Sequence, residues 1–260
     1  MNKPSISAVI LTHASAEKIN QCLESVKWCD EIIIVADTTS KYQISNIKYQ
    51  KYKSKIKIYE RQLKDDFAAQ RNFGLSKAKG KWVLFIDSDE QVSDELKKEI
   101  NERLFVDKVQ FSGYFIKRVD YFLGKWLEFG ETSHVQLLRL AKNKAGFWKG
   151  RVHEVWDVGG SVGKLTNPVL HYPHPTVAAF LHEINRYTDL VAQSWKEEGR
   201  QMPAWEIFVY PKLKFFQNYI LKLGFLDAIP GLIIALMMSF HSFLARAKFW
   251  HLNKRCASSV

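Results

Sequence analysis

Short apolar runs that stop at polar residues alternate with amphipathic stretches through the first hundred residues. Ile6-Ser7-Ala8-Val9-Ile10-Leu11 predicts a first strand ending at Thr12-His13. Ser15 caps the next helix, whose Ile19, Cys22, Leu23 and Val26 fall at i, i+3, i+4 and i+7 on one face. Glu31 to Ala36 predicts a second strand that ends in acid at Asp37, followed by Thr38-Thr39-Ser40. The Lys- and Tyr-rich stretch 42–55 reads as a weak helix and a loop, and Ile56 to Tyr59 as a short third strand. Asp66 caps a helix from Phe67 to Ala78, which Gly80 closes. Trp82 to Ile86 is an unbroken apolar run, the pattern of a strand buried on both faces of a parallel sheet. It stops at three carboxylates, Asp87, Asp89 and Glu90. Ser93 then caps a helix that buries Leu96, Ile100 and Leu104.

The order β-α-β-α-β-α-β is that of a doubly wound α/β sheet. Right-handed crossovers place every parallel strand's carboxyl end on one edge, so Thr12, Asp37 and Asp87 are expected to line a single crevice. The texture then changes. Gly113 to Trp126, Val135 to Leu140, Trp148 to Trp156 and Leu165 to Tyr172 read as β segments, with a turn near Asn143 and breaks at Gly159-Gly160 and Gly163. A long helix follows from Thr176 to Glu198, with Phe180, Ile184, Tyr187, Val191 and Trp195 as its stripe. The expected organisation is an α/β nucleotide-binding half over 1–110, an acceptor-side half of the same domain over 111–200, and a C-terminal helical extension over 201–260.

That extension carries Lys212, Lys214 and Lys222 among Phe215, Phe216, Tyr219, Ile220 and Leu221. Residues 228–245 then hold no Asp, Glu, Lys or Arg. Such a helix is roughly 27 Å long, just short of the roughly 30 Å hydrocarbon core of a bilayer. Basic residues on both flanks favour an interfacial or re-entrant hairpin on an anionic membrane over a full span. The alternatives are a buried helix or a homo-oligomer interface built from these helices.

Lys and Arg number 38 against 27 Asp and Glu, a net charge of +11. Basic charge of that size suits nucleic acid, an anionic membrane or phosphorylated substrates. No RNA-binding or helix-turn-helix signature accompanies it, so nucleic acid is not an expected partner. Cys22, Cys29 and Cys256 have no metal-ligand spacing and form no even framework, which points to a reducing compartment. No secretory leader is legible before the first strand. Together these place the chain in the cytoplasm, peripheral on the inner face of the cell membrane.

Two strands ending in acid suggest a hard cation: Asp87 and Asp89 converging on Mg²⁺ or Mn²⁺ that holds a diphosphate. The bland alternative is a solvated turn capping the next helix. In a nucleotide-sugar site Asp37 would bond the base or ribose, and Arg71 and Arg139 would grip phosphate. Inverting sugar transfer also needs a base for the acceptor proton. Glu131, His134, His153 and Glu154 are the choices, and the group Arg151-Val152-His153-Glu154 would touch phosphate or acceptor. A nucleotidyltransferase or dinucleotide oxidoreductase would want a glycine-rich phosphate loop after the first strand, and Thr12-His13-Ala14-Ser15 offers none. A non-catalytic nucleotide- or glycan-binding protein is the competing class.

The series Val9-Ile10-Leu11-Thr12, Ile34-Val35-Ala36-Asp37, Gln70-Arg71-Asn72, Phe85-Ile86-Asp87-Ser88-Asp89-Glu90, Arg139-Leu140 and Arg151-Val152-His153-Glu154 resembles the family 2 glycosyltransferases with the GT-A fold. It is most similar to their lipopolysaccharide-core β-1,4-glucosyltransferase group, which Gly224-Phe225-Leu226-Asp227 before an apolar helix also resembles. The resemblance implies an inverting, metal-dependent hexosyltransferase. Its donor would be a UDP-sugar, with UDP-glucose the first choice, and its acceptor a cell-envelope glycolipid or glycan such as lipopolysaccharide core. It implies that Asp37 and Asp87 contact the nucleotide and Asp89 the metal; Thr12, Gln70, Arg71, Arg139 and His153 are further expected donor contacts. A peptide or polyprenyl acceptor is the runner-up. Relatives usually carry an aspartate as base before the Arg-Leu pair. Here the stretch reads Glu131-Thr132-Ser133-His134.

Overall fold

A computed structural model describes residues 4–12, 16–38, 54–105, 110–150 and 154–257. His153, Arg151, Val152, Ser15 and the weak helix sought within 42–53 lie outside them. The chain divides into two compact units, Met1–Arg118 with Gln136–His171, and Val119–Val135 with Tyr172–Val260.

The first unit is built on a mixed sheet in the order β3-β2-β1-β4-β8-β6-β12-β5. Its strands are β1 (Ile6–Thr12), β2 (Glu31–Ala36), β3 (Ile56–Glu60), β4 (Trp82–Asp87), β5 (Glu90–Val92), β6 (Gly113–Phe122), β8 (Gln136–Lys142) and β12 (Val169–His171). A two-residue β7 (Lys125–Trp126) pairs with the far end of β6. The turn between them, Leu123 (φ 47°) and Gly124 (φ 84°), has two left-handed residues, as tight hairpins favour. β9 (Gly146–Lys149) and β10 (Val155–Val158) form a separate antiparallel ribbon, and β11 (Val162–Lys164) runs parallel to β6.

The sheet is apolar on both faces because each face has its own cover. Ile6, Ala8 and Ile10 of β1 pack with Ile19, Cys22, Leu23 and Val26 of α1 (Ala16–Val26) and with Leu96, Ile100 and Leu104 of α3 (Asp94–Leu104). Val9 and Leu11 pack on the other side with α2 (Phe67–Lys77) and with Trp148 and Trp156 of the ribbon. Helix α2 comes so close that a Cβ at Gly74 would lie 2.5 Å from Val9 Cγ1. Asp66 and Ser93 cap α2 and α3 through the N–H groups of Ala69 and Leu96, as their spacing predicts.

Glu99 of α3 ties down the approach to β12. Its carboxylate accepts the N–H groups of Thr166 and Asn167 and the Asn167 side-chain amide, all at 2.9 Å. Burial would raise its pKa, but these bonds outweigh it and hold the carboxyl below the usual range. A depressed folded-state pKa gives stability that is present above the unfolded value and lost as pH falls through the folded one. The stability gap between wild type and Glu99→Gln in urea is therefore expected to be full at about pH 7 and to shrink at about pH 3. A gap independent of pH would show that the ionised carboxylate contributes nothing.

In the second unit α4 (Val177–Glu197) and α5 (Glu206–Phe216) pack against α6 (Ala228–Ala257). Between α5 and α6 lie a π-helical turn, Gln217–Leu221, and a 3-10 turn, Gly224–Asp227. Among the described residues Gly224–Lys254 is the one helical segment long and apolar enough to cross a membrane. Yet α6 has two different faces. Ile234, Ala235, Ala245, Arg246 and Phe249 are buried. Arg246 bonds Ser242 and lies 4.1 Å from the Tyr210 ring. Ile229, Leu236, Phe240, Phe243 and Trp250 are exposed. Trp205, Phe208, Leu213, Phe216, Leu221 and Leu226 are exposed as well. Soluble monomers rarely expose contiguous apolar patches of more than a few hundred Å². The predicted stripe of α4 holds at Phe180, Ile184 and Val191, but buried Thr188 and Ala192 complete it. Tyr187 and Trp195 are only partly covered.

Candidate active site

The strand register assembles the acidic edge. Thr12 of β1 stands beside Ala36 of β2, and Leu11 beside Asp87 of β4, so Thr12, Asp37 and Asp87 end on one side of the sheet. β8 runs antiparallel to β4, with Leu84 opposite Leu140, so it starts at that same edge. His134 precedes it by two residues.

Asp87 is the centre of a buried ion-pair cluster. Its Oδ1 accepts Arg71 Nη2 at 2.9 Å and its Oδ2 accepts Arg139 Nη2 at 2.6 Å. Arg71 Nε donates to Glu154 at 2.8 Å. Glu90, fully buried, accepts the Asp87 N–H at 2.9 Å and lies 3.6 Å from Arg139. The two arginine side chains are only 5% and 6% exposed. Arg71 also lies over the Trp148 ring, 4.7 Å from its centroid. Burial would lower the Arg139 pKa, but Asp87 and Glu90 more than offset it, and the guanidinium stays charged. Both arginines, expected to grip phosphate, bond carboxylates here, while Arg71 Nη1 and Arg139 Nε and Nη1 have no partner among the described residues. Asp87, expected as a metal ligand, has both oxygens held.

The rest of the Gln-Arg-Asn group is also explained. Buried Gln70 exchanges two bonds with Arg61, accepting Nη1 at 2.6 Å and donating to its carbonyl at 3.0 Å. Asn72 makes a matching pair with the Trp148 backbone at 2.8 and 2.9 Å. Gln70 thus secures the chain after β3, and Asn72 fastens α2 to the ribbon. Asp37, part-exposed, accepts the Leu63 N–H at 3.0 Å.

Asp89 is placed differently. The short strand β5 pairs with β12, setting His171 opposite Glu90. His171 Nε2 then lies 3.5 Å from Asp89 Oδ2, with side chains 12% and 19% exposed. His171, which the sequence did not single out, thereby joins the candidate site. Its signal, a histidine ending a short strand, has meaning only once that strand is paired with β5. Among the described residues no group of three or more His, Cys, Asp or Glu is placed to hold a metal. Asp89 and His171 bring together a carboxylate oxygen and an imidazole nitrogen, two groups of the kinds that ligate divalent metals. Among the described residues Asp87, Asp89, Glu90 and Glu154 gather here with the two clamping arginines. A groove lined by Gln21, Trp28, Gln91 and Asp94 lies between α1 and the start of α3 and contains none of these residues.

Beneath the edge Cys22 is buried, with Sγ 3.5 Å from the Asp87 carbonyl. Burial first, and then Glu90, Asp89 and Asp87, push its thiol pKa up, so it stays protonated. In the second unit Glu131 accepts Lys214 Nζ at 2.6 Å and Asn218 Nδ2 at 3.1 Å. Burial would raise its pKa, but Lys214 and then Asn218 hold it below the ordinary range. His134 ends the 3-10 turn Thr132–His134 and is exposed.

An α/β sheet of this order with an acidic carboxyl edge is the arrangement of the GT-A fold. The model of glycosyl transferase family 2 matches residues 7–155, more than half of the chain, and the chain belongs to that family. It is 23% identical over 250 residues to the lipopolysaccharide core biosynthesis glycosyltransferase LpsC of Rhizobium meliloti (strain 1021), with 94% of this chain and 92% of that one covered. It is 24% identical over 256 residues to the uncharacterized glycosyltransferase RC0292 of Rickettsia conorii, with 94% and 89% covered. Among solved structures, the mannosyltransferase PcManGT of Pyrobaculum calidifontis, in complex with GDP-Man and Mn²⁺, matches with a TM-score of 0.53 at 13% identity. That match covers 96% of this chain and 88% of the other, a likeness of fold.

Proposed function

We propose that this glycosyltransferase moves a hexose, with inversion, from a UDP-sugar to a cell-envelope glycolipid of the lipopolysaccharide-core type, with UDP-glucose the first donor to try. The observation that carries the reading is the strand register that gathers Thr12, Asp37 and Asp87 at one edge, with Asp89 and His171 just beyond. Asp37 takes the base or ribose of the donor. Thr12 Oγ1, buried with no partner among the described residues, faces a donor oxygen. Asp87 serves as the keystone of the arginine cluster that shapes the edge.

Asp89 and His171 would hold a divalent cation, which when bound neutralises the diphosphate leaving group. The acceptor hydroxyl oxygen forms a bond to the anomeric carbon, the bond to the UDP oxygen breaks with its electron pair, and the acceptor proton passes to a base. Glu131 and Glu154 are poor bases because each is tied to a cation, Lys214 and Arg71. His134, exposed on the turn into β8, is the base. UDP release from a panel of UDP-hexoses with an envelope glycolipid fraction tests this, with ¹H NMR reading the anomer formed. The expected result is release with Mn²⁺ and an anomer opposite to the donor's. Donor binding without release would make the protein a binding module.

The exposed apolar residues of α5 and α6, set among Lys212 and Lys222, fit the interfacial layer of an anionic membrane at the cytoplasmic face. In flotation the full chain is expected to rise with vesicles containing anionic lipid and less so at high salt. The variant Phe208→Glu, Leu221→Glu, Ile229→Glu is expected to stay in the dense fraction. If the variant floats as wild type does, that surface is not the membrane face. A change of mass on substitution would identify it as a contact between copies.

A further inference from the structure

The turn that carries Glu131 and His134 is fastened, residue by residue, to the C-terminal segment of its own unit. Asp227 is buried, and its carboxylate accepts the N–H groups of Glu128 at 3.1 Å and Phe129 at 2.9 Å. Lys125 Nζ lies 3.2 Å from its other oxygen. Gly130, at φ 76°, donates its N–H to the Lys222 carbonyl at 2.9 Å. Glu131 is held by Lys214 and by buried Asn218. Four consecutive residues, 128 to 131, thus hang on 214–227.

The segment accepts a cost to do this. Leu223 (φ 57°) and Ala228 (φ 54°), both in the left-handed region that disfavours side chains, bracket the 3-10 turn bearing Asp227. Gly224 is packed so closely that a Cβ there would lie 2.6 Å from the Asn218 carbonyl. Strain persists where the surroundings over-determine it. Here its product is one buried carboxylate aimed at two amides at the head of the turn.

We infer that Asp227, Lys214 and Asn218 are positioning residues for sugar transfer: they fix residues 128–134 so that His134 is presented in a single orientation. The inference rests on the assignment of His134 as base. Glu131 is then an anchor of the turn, and the segment that offers its apolar face to the membrane also sets the catalytic turn.

The test uses the full chain and compares Asp227→Asn, Lys214→Met, Lys214→Arg and His134→Asn. Asp227→Asn and Lys214→Met are expected to lower kcat about 10- to 100-fold. Their UDP affinity and acceptor KM should stay within about twofold of wild type. Lys214→Arg, which keeps the ion pair, is expected to recover most of the rate. Glu131→Gln should lower kcat yet leave the pH–rate profile in place, whereas His134→Asn removes its acid limb. Wild-type kcat in both Asp227→Asn and Lys214→Met overturns the inference. So does a fall in kcat matched by equal losses of UDP affinity and melting temperature, the mark of general unfolding. If His134→Asn keeps the wild-type rate and profile, the base assignment fails. The kcat of Asp227→Asn then still decides whether the segment positions the turn.

Discussion

Asp89→Ala lowers sugar transfer by about three orders of magnitude and leaves the melting temperature within about 2 °C of wild type. The asymmetry follows from where the carboxylate sits. It is part-exposed after β4, and its approach to His171 at 3.5 Å is too long for a strong bond. With the Asp89 side chain 19% exposed, its removal is expected to change stability little. On the function proposed above, catalysis loses one of the two groups that would hold the cation offsetting the departing diphosphate. His171→Ala should fall by a similar factor. The double variant should be little worse than either single one, because the two act as one unit. Full activity in Asp89→Ala would exclude the metal role.

Asp87→Ala has the opposite signature, with stability and activity lost together. It takes the shared carboxylate from Arg71 and Arg139, whose side chains are 5% and 6% exposed, and leaves them Glu154 and Glu90 as partners. Breaking a buried pair costs about 3–5 kcal/mol, and those two carboxylates hold the cost here to the lower end. For a chain of this size that is a drop in melting temperature of about 10 °C. Arg71→Met should destabilise too, since it leaves Asp87 with Arg139 alone and Glu154 without its partner. Equilibrium unfolding of the variants reads this directly. If Asp87→Ala unfolds at the wild-type midpoint, the cluster is not a structural keystone.

Local pattern carried the fold a long way. The strands ending at Thr12, Asp37 and Asp87 and the caps Asp66 and Ser93 were legible because strand burial and capping are local effects. β5 was not, being three residues long and held by β12, which pairs His171 with Glu90 from far along the chain. His171 was missed for that reason. The carboxylate partners of the arginines were not legible, because nothing local shows what a guanidinium meets. The partner of Arg71 lies 83 residues away at Glu154. In α6 the run 228–245 was legible only as free of Asp, Glu, Lys and Arg. Its two faces emerge only when Ser242 and Arg246 turn inward beside Ile234 and Phe249.

Calorimetric titration of UDP into the wild-type protein and Asp89→Ala, each with Mn²⁺ and with EDTA, tests the acidic edge most directly. The account predicts that Mn²⁺ tightens UDP binding to the wild type by about tenfold or more and has little effect on the variant. UDP bound equally well in EDTA by both proteins would contradict it.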